Sequence, residues 1–186
     1  AGRRVGEVDD DGCGIPTDEL AMSVARHATS KLFSADDLFS ITTLGFRGEA
    51  LASIGSVARM TITSRPALQE SGGRLHVEAG LSMPVEPVGV PIGTSVRVED
   101  LFYNVPARLK FLKAEITERR QIDSLVTRYA LAFPHVRFSL RQESRSALQT
   151  SGNGSRREVL ASLYGVEMAR KMVEVMAKDD SIAITG

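Results

Sequence analysis

Apolar residues recur along this chain in two rhythms. In "ARMTITSR" (58–65), "RLHVEA" (74–79) and "TSVRVED" (94–100) apolar and polar residues alternate, the period of a half-buried strand. The run "ERRQIDSLVTRYALAF" (118–133) instead places Ile122, Leu125, Val126, Tyr129, Ala130 and Phe133 at helical spacing, which predicts an amphipathic helix. "PTDELAMSVARHATSK" (16–31) predicts another, with Pro16 and Thr17 at its start and Leu20, Val24 and Ala28 on one face. "SADDLFSITTLG" (34–45) starts a short helix on a capping box of Ser34 and Asp37, and "GFRGEALASIGSV" (45–57) is a glycine-bounded loop opening a helix with Leu51 and Ile54. The Pro/Gly-rich stretch 83–93 predicts a connection. Further on, "VRFSLRQ" (136–142) predicts a strand and "QTSGNGS" (149–155) a flexible linker. A helix capped by Ser155 and Glu158 and stopped by Gly165 follows, and then two strands around a "KDD" turn.

Strands and helices do not alternate strictly as βαβ units, so the order predicts an α+β fold, with helices on one face of a mixed, mostly antiparallel sheet. The chain has 186 residues, enough for one sizeable core and the edge of a second domain. Lys+Arg and Asp+Glu are both 23, so no global field draws the chain to nucleic acid or membrane. A single cysteine rules out an internal disulfide or a cysteine metal cluster and suits a reducing compartment, and three scattered histidines argue against a histidine site. No apolar run approaches the roughly 20 residues of a membrane span. These features predict a soluble, cytosolic protein. A start without methionine, close to the strand-like "RRVGEV", and an end inside "DSIAITG" suggest a fragment of a longer chain.

Candidate chemistry concentrates in "VDDDGCGIP" (8–16), where three adjacent carboxylates meet a glycine pair flanking Cys13. A calcium loop would use Glu7, Asp9 and Asp11 with Gly12 sixth and Asp18 twelfth, but its last ligand is then the shorter acid and strand precedes it. No Gly-x-x-x-x-Gly-Lys-[Ser/Thr] loop occurs, and "GCGIPT" lacks the third glycine of a dinucleotide fingerprint. A solvated surface turn accounts for the acids but not for the second glycine. An adenine ring accounts for both: its exocyclic amine donates to a fixed carboxylate, and glycines let a planar ring approach the backbone. Its phosphates would take amide donors from the glycine loop 45–51, with hydroxyls and a lysine from "ATSK" and a hydroxyl from "GTS" (93–95).

Taken in order and spacing, "DDDGCGI", "ARHATSKL", "TLGFRGEALASIGSV" and "GTSVRVEDLFYNVPARLKFL" resemble the amino-terminal ATPase region of the MutL mismatch-repair family, within the gyrase B, histidine-kinase and MutL group of Bergerat-type ATPase sandwiches. The resemblance weakens after about residue 140. It implies that Asp10 binds adenine beside Gly12 and Gly14, supported by Gly93 and Thr94. It also implies that Thr29, Ser30 and Lys31 begin an ATP lid reaching towards Arg47, and that Arg47, Gly48, Glu49, Ala50 and Leu51 contact phosphate. Residues 1–150 would be a partial ATP-binding domain lacking its first helix, and 151–186 a linker helix and the start of a second, transducer domain. Implied cofactors are ATP and Mg2+. Implied partners are a second copy through the ATPase region, mismatch-recognition and downstream repair proteins, and DNA weakly through a local patch, in a bacterial cytoplasm at the nucleoid.

Three positions depart from the family pattern: Asp11 for asparagine, Gly6 for an apolar residue and Val105 for threonine. The family's catalytic glutamate and magnesium-binding asparagine, four residues apart on a helix, are expected upstream of Ala1, and a lysine for the γ-phosphate beyond Gly186. Within the chain the asparagines are Asn104 and Asn153, and only Asp100 with Asn104 has an acid at that spacing. The chain itself is therefore expected to bind nucleotide without hydrolysing it. The alternative is a non-hydrolysing adenine-nucleotide-binding or interaction module. His27 and Cys13 read as packing residues, Glu49 as part of a backbone phosphate loop rather than a base, and the basic stretch 107–121 as a solvated face.

Overall fold

The computed structural model describes residues 5–26, 45, 47–143, 145–178 and 183–185, the last three by backbone alone. Two compact units emerge, Ala1–Leu112 and Lys113–Gly186.

The first unit is built on a sheet of β1 (Val5–Asp10), β2 (Arg59–Arg65), β3 (Gly72–Glu78), β4 (Leu81–Ser82), β5 (Glu86–Val88) and β6 (Gly93–Glu99). The strands run in the order β1-β6-β2-β3-β4, with β5 also on β3, and each of these ladders is antiparallel. Register follows the alternation in the sequence. Ile62 faces Leu75 and Val96, and Met60 faces Val77 and Val98, so one side of the sheet is apolar across three strands. Met60, Ile62, Leu75 and Val77 are buried there with Leu20. Leu20 belongs to α1 (Leu20–Ser23), while Leu51 and Ile54 of α2 (Ala50–Gly55) pack on the same cluster. Each fully buried aliphatic side chain contributes about 1.5–3 kcal/mol by leaving water.

The other side of the sheet is polar. Arg59 bonds Glu78 at 2.9 Å and Asp100 at 2.6 Å, and Arg97 bonds Glu7 at 3.0 Å and Glu99 at 3.1 Å. Pairs this exposed add little stability; they show that this face meets water.

Two differences from expectation concern this unit. The helix expected from Pro16 begins only at Leu20, because the Thr17 hydroxyl and amide both turn to the Gln69 side-chain oxygen, the hydroxyl at 3.0 Å, instead of capping a helix. The stretch 83–93, expected as a connection, contributes β5, whose Pro87 sits on an edge where the missing amide costs no ladder bond. The helix expected over 34–45 lies outside the described residues.

In the second unit, α4 (Glu115–Ala132) follows a short α3 (Pro106–Leu109) that ends the first. α4 starts three residues before the expected run. Ala130 is buried with Leu148 and Val159, and Val126 packs on that cluster, but Leu125 and Tyr129 of the expected apolar stripe are exposed. β7 (Ser139–Gln142) pairs with β8 (Arg145–Gln149), a strand the sequence pattern did not announce. Arg119 is held by Glu115 at 2.8 Å and by Glu143, and its guanidinium keeps the Glu143 carboxyl below the usual range.

The expected flexible linker 149–155 is a pinned turn instead. The Phe138 amide donates to the Thr150 hydroxyl at 2.9 Å, the Gly154 amide to the Pro134 carbonyl at 3.0 Å, and the Asn153 amide group to Glu158 at 2.7 Å. Polar residues there serve as hydrogen-bond partners, which a reading by composition takes for solvation. α5 (Arg156–Tyr164) is capped by Ser155 and ends at Gly165 as expected. An unanticipated α6 (Val166–Lys171) precedes β9 (Met176–Lys178) and β10 (Ala183–Thr185), which pair antiparallel as expected.

Two glycines of the first unit should respond oppositely to a methyl group. At Gly14, with φ +73°, a Cβ would run into the Arg65 carbonyl and lie 2.6 Å from Pro66 N, whereas at Gly6 nothing lies within 4 Å. In urea unfolding, Gly14→Ala should cost about 1–3 kcal/mol or more. Gly6→Ala should be neutral or gain up to about 1 kcal/mol. Ser155→Ala, which removes the α5 cap, should cost about 1 kcal/mol in the same assay.

Candidate functional site

Side chains alternate faces along β1, and this separates the three acids. Glu7 and Asp9 stand opposite Arg97 and Ser95 on the polar face, while Asp10 stands opposite Thr94 on the face that carries the helices. Asp11 lies past the strand. Only Asp10 therefore joins the core side of the sheet, at its end. Thr94 in turn stands opposite Ser64 of β2, so Asp10, Thr94 and Ser64 form a polar row across three strands, one step beyond the apolar row of Val8, Val96 and Ile62.

Short polar links fix this corner. The Gly12 amide donates to Asp10 Oδ1 at 2.9 Å, and a Cβ at Gly12 would sit 2.7 Å from that oxygen. The Ile15 amide donates to Ser64 Oγ at 2.8 Å, Ser64 Oγ donates to the Gly93 carbonyl at 2.9 Å, and Ser64 Oγ and Thr94 Oγ1 are 3.0 Å apart. Gly93 has φ +116°, and a Cβ there would collide with the Asp10 carbonyl. Asp10, Gly12, Gly14, Gly93 and Thr94 are thus brought together, each glycine where a side chain would close the corner or clash.

Ser64 was missed in the sequence. Its signal is the break in "ARMTITSR": a hydroxyl stands where the Met60, Ile62 alternation requires an apolar residue, and it is fully buried. A buried hydroxyl must be hydrogen-bonded, which makes its partners informative.

The loop before α2 reaches the same face of the sheet. Gly48 takes φ +62°, the Glu49 carbonyl accepts from the Ser53 amide at 2.9 Å, and Leu51 packs into the core below. Buried Gly55 lets α2 lie close on the sheet, where a Cβ would come 2.9 Å from Val77 Cγ1. Arg47, Gly48, Glu49 and Ala50 are thereby carried at the start of a short helix whose far end is anchored. Thr29, Ser30 and Lys31, and His27 before them, lie outside the described residues.

Competing readings lose their geometry. A calcium loop would need Glu7, Asp9 and Asp11 to converge, but Glu7 is paired with Arg97. Among the described residues no three His, Cys, Asp or Glu side chains group as metal ligands. Cys13 is exposed on the turn. Asp100 and Asn104 have structural partners: Asp100 bonds Arg59, and the Asn104 amide donates to the Ser56 carbonyl at 3.0 Å. Their "DLFYN" turn is held in left-handed backbone at Asp100 (φ 51°) and Phe102 (φ 66°), fastened by the Phe102 amide to the Val57 carbonyl at 2.6 Å. Arg59 lies 4.4 Å over the Tyr103 ring, whose hydroxyl donates to Glu78; burial first, and the Glu78 carboxylate second, hold that phenol above its ordinary pKa. In the basic stretch, Arg119 is already committed to two carboxylates.

No protein-family model matches the chain. The DNA mismatch repair protein MutL of Limosilactobacillus reuteri (strain DSM 20016) is 45% identical over 179 residues, 96% of this chain and 27% of that protein. MutL of Lactococcus lactis subsp. cremoris (strain SK11) is 44% identical over 186 residues, 100% of this chain and 28% of that protein. The chain thus spans little more than a quarter of the length of these curated relatives. Among solved structures, the Aquifex aeolicus MutL ATPase domain complexed with ADP is similar with a TM-score of 0.70 and 34% identity, covering 94% of this chain and 60% of that one. The amino-terminal domain of a DNA repair protein matches with a TM-score of 0.74 and 26% identity, covering 95% of this chain and 52% of that one. Identity at this level along nearly all of its own length, together with the same α+β architecture, shows that the chain belongs to the DNA mismatch repair protein MutL family, as a stretch of its amino-terminal, Bergerat-type ATPase region.

Proposed function

We propose that this stretch is the adenine-nucleotide pocket of a MutL-type ATPase. In a protein of its relatives' length, ATP binding and hydrolysis would switch lid ordering, pairing of two ATPase regions, and engagement of mismatch-recognition and downstream repair proteins in the bacterial cytoplasm. The observation that carries the reading is the polar row at the end of β1, where one carboxylate out of three meets Thr94 beside a glycine turn. Asp10 Oδ1 already accepts the Gly12 amide, so its second oxygen is the acceptor offered to the exocyclic amine. The similar Aquifex aeolicus domain is complexed with ADP.

Amides of the Arg47–Leu51 loop would bind the phosphates, and Thr29, Ser30 and Lys31 would open the lid. DNA contact would use the basic stretch 107–121, weakly, since Arg119 is neutralised by Glu115 and Glu143. On this reading 1–150 belong to the ATP-binding domain and 151–186 lead into the transducer domain; compactness divides the chain by a different criterion, at Leu112 and Lys113. For the magnesium implied by the family, the described residues offer no group of three His, Cys, Asp or Glu side chains.

A second reading, nucleotide binding without turnover, is favoured for the 186 residues taken alone. Hydrolysis needs a group to orient water, and the one acid-x-x-x-Asn pair in the chain is structurally committed.

Two outcomes test these readings. In calorimetric titration with ADP, Asp10→Asn in the full-length protein should weaken binding about ten- to a hundredfold, the worth of a charge-assisted hydrogen bond. Asp9→Asn, on the polar face, should leave binding unchanged; a larger loss at Asp9 would overturn the assignment. The purified 186-residue chain should release phosphate from ATP no faster than buffer, and magnesium-dependent turnover abolished by Glu49→Gln would restore Glu49 as a base.

A further inference from the structure

We propose that Ser64 is a positioning residue that sets the hydrogen-bond polarity of the adenine-reading edge, by holding the Thr94 hydroxyl as an acceptor. This rests on the adenine reading above and deepens it. A serine hydroxyl has one proton to give and two lone pairs to receive with. Ser64 Oγ has three polar neighbours at bonding distance: the Ile15 amide at 2.8 Å, the Gly93 carbonyl at 2.9 Å and Thr94 Oγ1 at 3.0 Å. The amide can only donate and the carbonyl can only accept. Two oxygens 2.9 Å apart without a proton between them repel, and Ser64 is fully buried, where water cannot compensate. The Ser64 proton therefore goes to the Gly93 carbonyl, and both lone pairs are left for donors, one for the Ile15 amide and the other for the Thr94 hydroxyl.

The consequence passes to Thr94. With its proton committed to Ser64, Thr94 Oγ1 turns only lone pairs towards the pocket. Asp10, its cross-strand partner, is a carboxylate that likewise only accepts. The edge they share is acceptor-only and suits a ligand that brings donors, as the 6-amino group of adenine does. A purine with a carbonyl at that position meets acceptor against acceptor. Asp10 alone supplies part of this discrimination; Ser64 fixes a rotatable hydroxyl beside it that could otherwise turn round and donate. Ser64 also ties the glycine turn, through Ile15, to the Gly93–Thr94 strand start, so one buried oxygen joins the two segments that carry the reading groups.

The test is calorimetric titration of the full-length protein with ADP and with IDP, whose base carries a carbonyl in place of the amine. Wild type should prefer ADP, and Ser64→Ala should lower the ADP:IDP affinity ratio by about two- to tenfold, one hydrogen bond's worth. Ser64→Thr, which keeps the hydroxyl, should retain the wild-type ratio. In a Thr94→Val background the further change Ser64→Ala should leave the ratio where it is, since Ser64 acts through the Thr94 proton. If circular dichroism shows Ser64→Ala unfolded, Ser64→Cys, which fills the site with a poor acceptor, carries the same expectation. An unchanged ratio in a folded Ser64 variant, or an equal change with and without the Thr94 hydroxyl, overturns this inference and leaves the nucleotide reading standing. Failure of the wild-type protein to bind ADP overturns both.

Discussion

The first unit depends on how closely β1 and β6 approach at their shared end. Gly93 lies against the Asp10 carbonyl with no space for a Cβ, and the ladder from Val5 opposite Glu99 to Asp10 opposite Thr94 keeps register up to that point. Register and chemistry are here one constraint. A slip of one residue would send Asp10 to the polar face, opposite Ser95 or Gly93, and bring Asp9 inward. It would also break the row in which Asp10, Thr94 and Ser64 follow the apolar row of Val8, Val96 and Ile62. Hydrophobic burial of Met60, Ile62, Leu75 and Val77 sets β2, β3 and β6, and their register delivers the polar row without further design.

The "DLFYN" turn ties the opposite end of α2 into the same frame. Phe102 in left-handed backbone is costly for a bulky side chain, and the surroundings must over-determine it. They do so through the Val57 and Ser56 carbonyls, the stacked Arg59 and Tyr103, and Glu78. The loop before α2 is therefore carried by a helix whose exit is clamped.

Legibility in the sequence followed physical range. β2, β3 and β6 were readable because alternation reports which face meets water, and α5 because Ser155 and Gly165 act on their own neighbours. Asp10 could be singled out only by resemblance, since three adjacent acids look alike until strand pairing assigns them faces. Ser64 was illegible because its importance lies in partners 29, 30 and 49 residues away. Similarly, 149–155 read as a linker because Asn153, Thr150 and Gly154 look like solvated residues until Glu158, Phe138 and Pro134 are known to face them. The exposed Leu125 and Tyr129 show the converse limit: helical spacing marks an apolar stripe but not how much of it is covered.

Among the described residues β1 has β6 on one side and no strand on the other, so it offers a row of backbone donors and acceptors to any passing strand. Its Val8 is 71% exposed, which makes it a favourable partner for a second copy of itself. The acids change that balance. Two such edges paired parallel and in register would set Asp9, Asp10 and Asp11 against their counterparts, well inside the roughly 8 Å over which physiological salt screens charge. The acids that end β1 thus oppose self-templating of the strand in that register, and the opposition weakens as ionic strength rises.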